Sequence, residues 1–255
     1  MKKHLIITLL TLFAFGMANG QTTISQIKKL VKADDLKAIS QLIESGLDIN
    51  KTFKRQSTLL HFAAEYGKYG IAKFLIDKAA NLNLQDNAKN TPLMISTSVF
   101  SQHDSISALL INKGANPNIV GSSGSTALRN TIGIGGAGQQ PIIFKLLIDN
   151  GADMNFQCDE CCNRTVFLYC CSWGTTEMLQ QLIDKNVEIN KTDCKGLNGM
   201  MYAIKLENKE AIKLLLTTSI DTKHKDNNGK SVLDYANRSQ DVEIIDMIGL
   251  KLSQP

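Results

Sequence analysis

Few residues in this chain could break a helix, cross a bilayer or carry out catalysis. Only four of 255 residues are proline, and aromatic residues make up 6%, with Trp173 the one tryptophan. With 43% hydrophobic and 20% charged residues, the composition excludes collagen-like and disordered chains and fits a globular protein. Charge of one sign is also scarce: 28 Lys and Arg stand against 24 Asp and Glu. No basic stripe is evident, so nucleic acid is not an expected partner. No segment approaches the roughly 20 apolar residues of a membrane span. Gly-x-Ser-x-Gly, His-Glu-x-x-His and paired-glycine dinucleotide loops are all missing, so no catalytic residue, cofactor or metal ligand set is expected from motifs.

The first twenty residues differ from the rest. Lys2 and Lys3 precede an apolar run from Leu5 to Phe15, and Ala18-Asn19-Gly20 offers small residues where a signal peptidase needs them. This predicts a secretory signal peptide over 1–20, cut before Gln21, and a mature domain over 21–255. No membrane insertion is expected after cleavage. The short Lys-Lys leader suggests a bacterial product, placed in the periplasm or secreted.

The rest of the chain repeats itself. Glu44-Ser-Gly-Leu-Asp-Ile-Asn50 returns as Asp77-Lys-Ala-Ala-Asn-Leu-Asn83, Asn112-Lys-Gly-Ala-Asn-Pro-Asn118, Asp149-Asn-Gly-Ala-Asp-Met-Asn155 and Asp184-Lys-Asn-Val-Glu-Ile-Asn190. Asn50 and Asn83 are 33 residues apart. A second series, Thr58, Thr91, Thr126, Thr165, Asn198 and Ser231, follows in step. These are residues that cap helix starts, and Pro92 suits a first helical turn. Paired apolar residues such as Leu75-Ile76, Leu146-Leu147 and Leu214-Leu215 predict a second helix with a stripe that a neighbour must cover. Gly46, Ala79, Gly114, Gly151, Asn186 and Ser219 occupy the helix ends, where left-handed geometry is favoured, so Ala79 and Ser219 are expected to cost stability.

Ser57-Thr-Leu-Leu-His-Phe-Ala-Ala64, Thr91-Pro-Leu93 and Leu146-Leu-Ile-Asp-Asn-Gly-Ala-Asp-Met-Asn155 resemble the ankyrin-repeat family over roughly residues 24 to 250. The resemblance implies an all-α solenoid of stacked helix-turn-helix repeats joined by β-hairpin-like turns. It also implies about seven repeats including degenerate end caps, with polar outer faces.

Three places break the period. Extra residues fall in 99–105 and 133–141, and the turn between Asn155 and Thr165 is two residues longer than its counterparts. The glycine-rich run from Gly133 cannot be a stable helix, and it lacks the Lys-Ser/Thr of a phosphate loop. The long turn holds Cys158, Cys161 and Cys162, with Cys194 in the next turn. In an exported protein these four are candidates for disulfides, of pairing that sequence does not decide. Cys170 and Cys171 align with Ala63-Ala64 and are expected to be buried thiols. Cys158-x-x-Cys161 is also half of a zinc pattern, without a second half or a nearby histidine.

The family resemblance implies a concave groove, built from turn tips and first helices, that binds another protein. Carried over position by position, the partner-binding residues are Lys54, Arg55, Glu65, Tyr66, Val99, Asp159, Glu160, Trp173, Lys195 and Leu206, with Ser98, Ser172 and Lys205 beside them. Tyr66 and Trp173 are the expected anchors. His61 matches the motif histidine, with a local hydrogen-bonding role. The rival expectation is a thiol-based redox or metal-handling protein using the cysteines between 158 and 194; a hydrolase is more distant still.

Overall fold

The computed structural model describes residues 24–253 except 134, 136, 159 and 160. The signal-peptide expectation, and those for Asp159 and Glu160, therefore lie outside the described residues.

Each capping residue of the repeat starts a helix. Thr58, Thr91, Thr126, Thr165, Asn198 and Ser231 each accept a hydrogen bond from the backbone amide three residues on, satisfying a donor that the helix leaves unpaired. Among the described residues the helices fall into seven pairs: α1 (Ile24–Lys32) with α2 (Leu36–Glu44), α3 (Leu59–Glu65) with α4 (Tyr69–Asp77), α5 (Pro92–Ser96) with α6 (Asp104–Asn112), and α7 (Ala127–Asn130) with α8 (Pro141–Asp149). Then follow α9 (Val166–Trp173) with α10 (Thr176–Asp184), α11 (Gly199–Lys205) with α12 (Lys209–Leu216), and α13 (Val232–Ser239) with α14 (Val242–Leu252). First helices pack on neighbouring first helices and second helices on second helices. The result is two parallel layers around one continuous core, in which Leu75, Leu110, Leu147, Leu182 and Leu215 are fully buried.

Hydrogen bonds explain the closing asparagine. Asn50, Asn83, Asn118, Asn155 and Asn190 each accept, through Oδ1, a backbone amide of the next repeat, from Asn81, Asn116, Asp153, Glu188 and Asp221 respectively. Each side chain thus ties one repeat to the next, which is why the residue recurs at the repeat's own period. Neighbouring turn tips are joined as well: Asn87 N donates to Arg55 O, Ser122 N to Ala88 O, Cys194 N to Cys162 O and Asn227 N to Lys195 O.

Two helix ends behave differently from each other. Ala79 adopts φ 63°, a left-handed backbone without glycine's freedom. Ser219 does not take that conformation, contrary to the sequence expectation. The Thr217 and Thr218 hydroxyls donate to the carbonyls of Leu214 and Leu215 instead, so the end of α12 needs no left-handed residue. The outer faces are polar at Lys29, Lys32, Arg238 and Gln240, but α14 also leaves Val242 and Leu250 exposed. No helix among the described residues is long and apolar enough to cross a membrane.

Candidate interaction site

The three breaks in the repeat converge. The segment after α5 carries Val99 and Phe100; the segment between α7 and α8 folds back on it, with Gly138 backed against Val99 and Gln102. Gln140 Nε2 donates to Thr97 O and Gln139 Nε2 to Trp173 O. The glycine run shortens α7 to four residues, Ala127–Asn130. In the third break, β1 (Gln157–Cys158) pairs antiparallel with β2 (Arg164–Thr165). Between these segments lies a cleft of about 430 Å³. Its walls are Ser98 to Phe100, the serines of the Ser122–Gly124 tip, Arg129, Arg164, Tyr169 and Trp173.

The chemistry of the cleft is cationic and aromatic. The Arg129 guanidinium lies 4.6 Å from the Tyr169 ring centre, and Arg164 lies 5.7 Å from Tyr169 and 4.8 Å from Tyr202. Trp173 stands 6.2 Å from Tyr169, tilted against it. Phe100 is 96% exposed at the rim. Asp193 lies behind, buried, with its carboxylate already taken by the Tyr202 hydroxyl and the amides of Lys195 and Leu197. Burial and the Asp193 contact push the Tyr202 hydroxyl well above its ordinary pKa.

The cysteine positions flank this cleft. Cys158 pairs with Cys161, and Cys162 with Cys194. The first pair closes the long turn on itself, and the second joins two neighbouring tips. Gly124 of the preceding tip, at φ 63°, abuts Cys158 so closely that a Cβ there would fall 1.9 Å from the sulfur. Cys170 and Cys171 are fully buried free thiols, and burial raises the pKa of both. Among the described residues no three His, Cys, Asp or Glu side chains come together in a way that could hold a metal.

Of the described residues singled out in the sequence, Ser98, Val99 and Trp173 share the cleft, all half-buried. Lys54 and Arg55 are exposed at an earlier tip, beside a recess lined by Lys28, Lys29 and Lys32. Glu65 reaches Lys28 at 4.0 Å, and half-buried Tyr66 lies under Lys32 at 4.8 Å. Lys195 and Leu206 are exposed on later repeats, outside the cleft. Ser172 is buried, with its hydroxyl donating to Leu168 O, because it sits on the core face of α9; it is not a groove residue. His61 accepts from the Thr58 amide at Nδ1 and meets Asn90 O at Nε2, a local structural role. The motif-based reading missed Phe100, Arg129, Arg164 and Tyr169. One signal was available: Arg129 stands three residues after its cap, where His61, Met94, Leu168 and Met201 stand in other repeats.

A stack of like helix pairs, each packed on the next, defines a repeat protein of the solenoid class. The chain belongs to the ankyrin-repeat family: the model of that family, "Ankyrin repeats (3 copies)", matches residues 28–121, 134–226 and 182–251. It is 40% identical to human inversin over 67 residues, covering 26% of this chain and 6% of inversin. It is 33% identical to a putative ankyrin repeat protein of Rickettsia bellii (strain RML369-C) over 143 residues, covering 54% of this chain and 40% of the relative. The chain therefore spans less than half the length of either relative. Among solved structures, the human ASB11 ankyrin repeat domain shares the fold, with a TM-score of 0.74 at 18% identity, covering 90% of this chain and 98% of that domain. Ankyrin repeats are protein–protein interaction modules, and the fold is in general non-catalytic.

Proposed function

We propose that this chain is an exported interaction module whose partner protein docks in the cleft between Phe100, Arg129 and Trp173 and along the neighbouring turn tips. One observation carries the reading: all three departures from the repeat period line the same cleft. Insertions in a solenoid cost chain entropy without adding to the stack, and function is the usual reason that loops are placed together. In the same reading, Cys158–Cys161 and Cys162–Cys194 are disulfides that hold the tips in an oxidising compartment, following cleavage of the leader before Gln21.

Two measurements test this. A photo-crosslinking residue at position 100 is expected to capture a partner in the exported fraction, whereas one at Ile142, also exposed but on α8, captures none. Equal capture at both positions would sink the cleft as the docking site. Intact mass before and after reduction is expected to start at Gln21, with four thiols masked until reduction. A full-length mass with free thiols would remove export and the disulfides from the reading.

A further inference from the structure

Arg129 and Arg164 present two guanidinium groups to one half-open cleft, and among the described residues neither has a carboxylate within ion-pair distance. Arg129 donates through Nη1 to Ser123 O at 3.3 Å and to Cys161 Sγ at 3.9 Å, two long bonds from one nitrogen of a five-donor group. Among the described residues Arg164 Nε, shut off from solvent, has no hydrogen-bond partner, while the rest of the guanidinium lies beside Tyr202. The neighbouring acid, Asp193, is held by Tyr202 and by backbone amides. A guanidinium laid against an aromatic ring keeps its in-plane N–H edge free, and that edge matches a carboxylate in a two-bond fork. Serines 122, 123 and 125 line the same wall, and Phe100 offers an exposed apolar surface at the rim.

Resting on the interaction role above, we propose that the cleft takes an acidic peptide segment of the partner, in which one or two Asp or Glu side chains pair with Arg129 and Arg164 and an adjacent large apolar side chain packs on Phe100 and Trp173. Charge complementarity selects this occupant: among the described residues the cleft lining contains two arginines and no acid. A segment with a basic residue at the same place would meet two unpaired cations at short range, so the site discriminates by repulsion as well as by attraction.

The test is selection of random phage-displayed peptides, free of tryptophan, on the oxidised full chain. Binding of the selected peptides is then followed by the emission of Trp173, the chain's one tryptophan. Enrichment of Asp or Glu next to an apolar residue is expected, with a change in Trp173 emission on binding. Affinity is expected to fall by about tenfold or more in both Arg129→Gln and Arg164→Gln, with helical content and melting unchanged. Arg164 also packs on Tyr202, so if Arg164→Gln does not fold, Arg129→Gln and Arg129→Lys carry the test. Arg129→Lys keeps the charge and loses the fork. Selection of neutral or basic peptides that perturb Trp173, or of acidic ones indifferent to the Arg129 variants, overturns the proposal and leaves the cleft as a docking site. Failure of any peptide to perturb Trp173 overturns both.

Discussion

Left-handed backbone at Ala79 sets a side chain against the geometry that its helix end requires, at φ 63°. The equivalent Gly46, Gly114 and Gly151 carry no Cβ to strain. Ala79→Gly is therefore expected to raise stability by about 0.5–1 kcal/mol in urea unfolding, the relief of strain exceeding glycine's added unfolded-state entropy. His61 offers a test by pH. Burial lowers its pKa from the ordinary 6.5, so the unfolded chain binds that proton more readily than the folded one. The contribution is whole above about pH 6.5 and is lost as the pH falls from there towards the depressed folded value. The urea midpoint should drop between about pH 7 and pH 5.5, and His61→Gln should flatten that part of the profile. A wild-type midpoint constant over this interval would show that His61 is protonated without penalty.

Beyond the shared core, elements are also joined through their tips. Cys162 and Cys194 lie 32 residues apart on adjacent turns. Closing a loop of that length in the unfolded chain is worth about 3–4 kcal/mol on the chain-entropy account. Oxidised protein should therefore exceed the Cys162→Ser/Cys194→Ser variant by roughly that amount in urea unfolding, whereas Cys158→Ser/Cys161→Ser, with a loop of three, should cost only about 1–2 kcal/mol. Equal costs for the two pairs would contradict this. The turn tip at Ser122–Gly124 has no covalent tie; hydrogen bonds to Ala88 and Arg129 and the close approach of Gly124 to Cys158 hold it. Gly124→Ala forces that contact apart and meets a left-handed φ as well, so a loss of about 1–3 kcal/mol is expected.

Across the described residues, each helix pair packs chiefly on its neighbours, so stability is a sum over repeats and interfaces. The weakest link should be α7, cut to four residues by the glycine-rich segment. Hydrogen exchange is expected to show lower protection in α7 than in α9 or α11. Leu147→Ala, at a fully buried site of α8, should cost about 2–5 kcal/mol and make the two halves of the stack unfold separately. Trp173→Ala, with a half-buried ring on the cleft wall, should weaken partner binding by more than about 2 kcal/mol with the stack intact; unfolding without a specific binding defect would refute that role.

The solenoid was legible in the chain because its forces are local and repeat. A cap at Thr58 or Thr126 acts within three residues, and the ladder from Asn50 to Asn190 acts once per repeat. Even the three breaks could be located by counting. What counting could not supply was their meeting point, because Val99, Arg129 and Trp173 become neighbours only when successive repeats stack in register. Groove positions carried over from a regular repeat mark an average surface, so Tyr66 and Leu206 were named and Tyr169 was not. The partners of the cysteines were likewise undetermined, since which sulfur faces Cys194 depends on how the long turn folds back through β1 and β2. Sequence by itself determined the repeat, its caps and its core, through short-range bonds and periodic burial. Only tertiary stacking decided the cleft and the two arginines in it, because side chains far apart in the chain share a site only once the helices between them have packed.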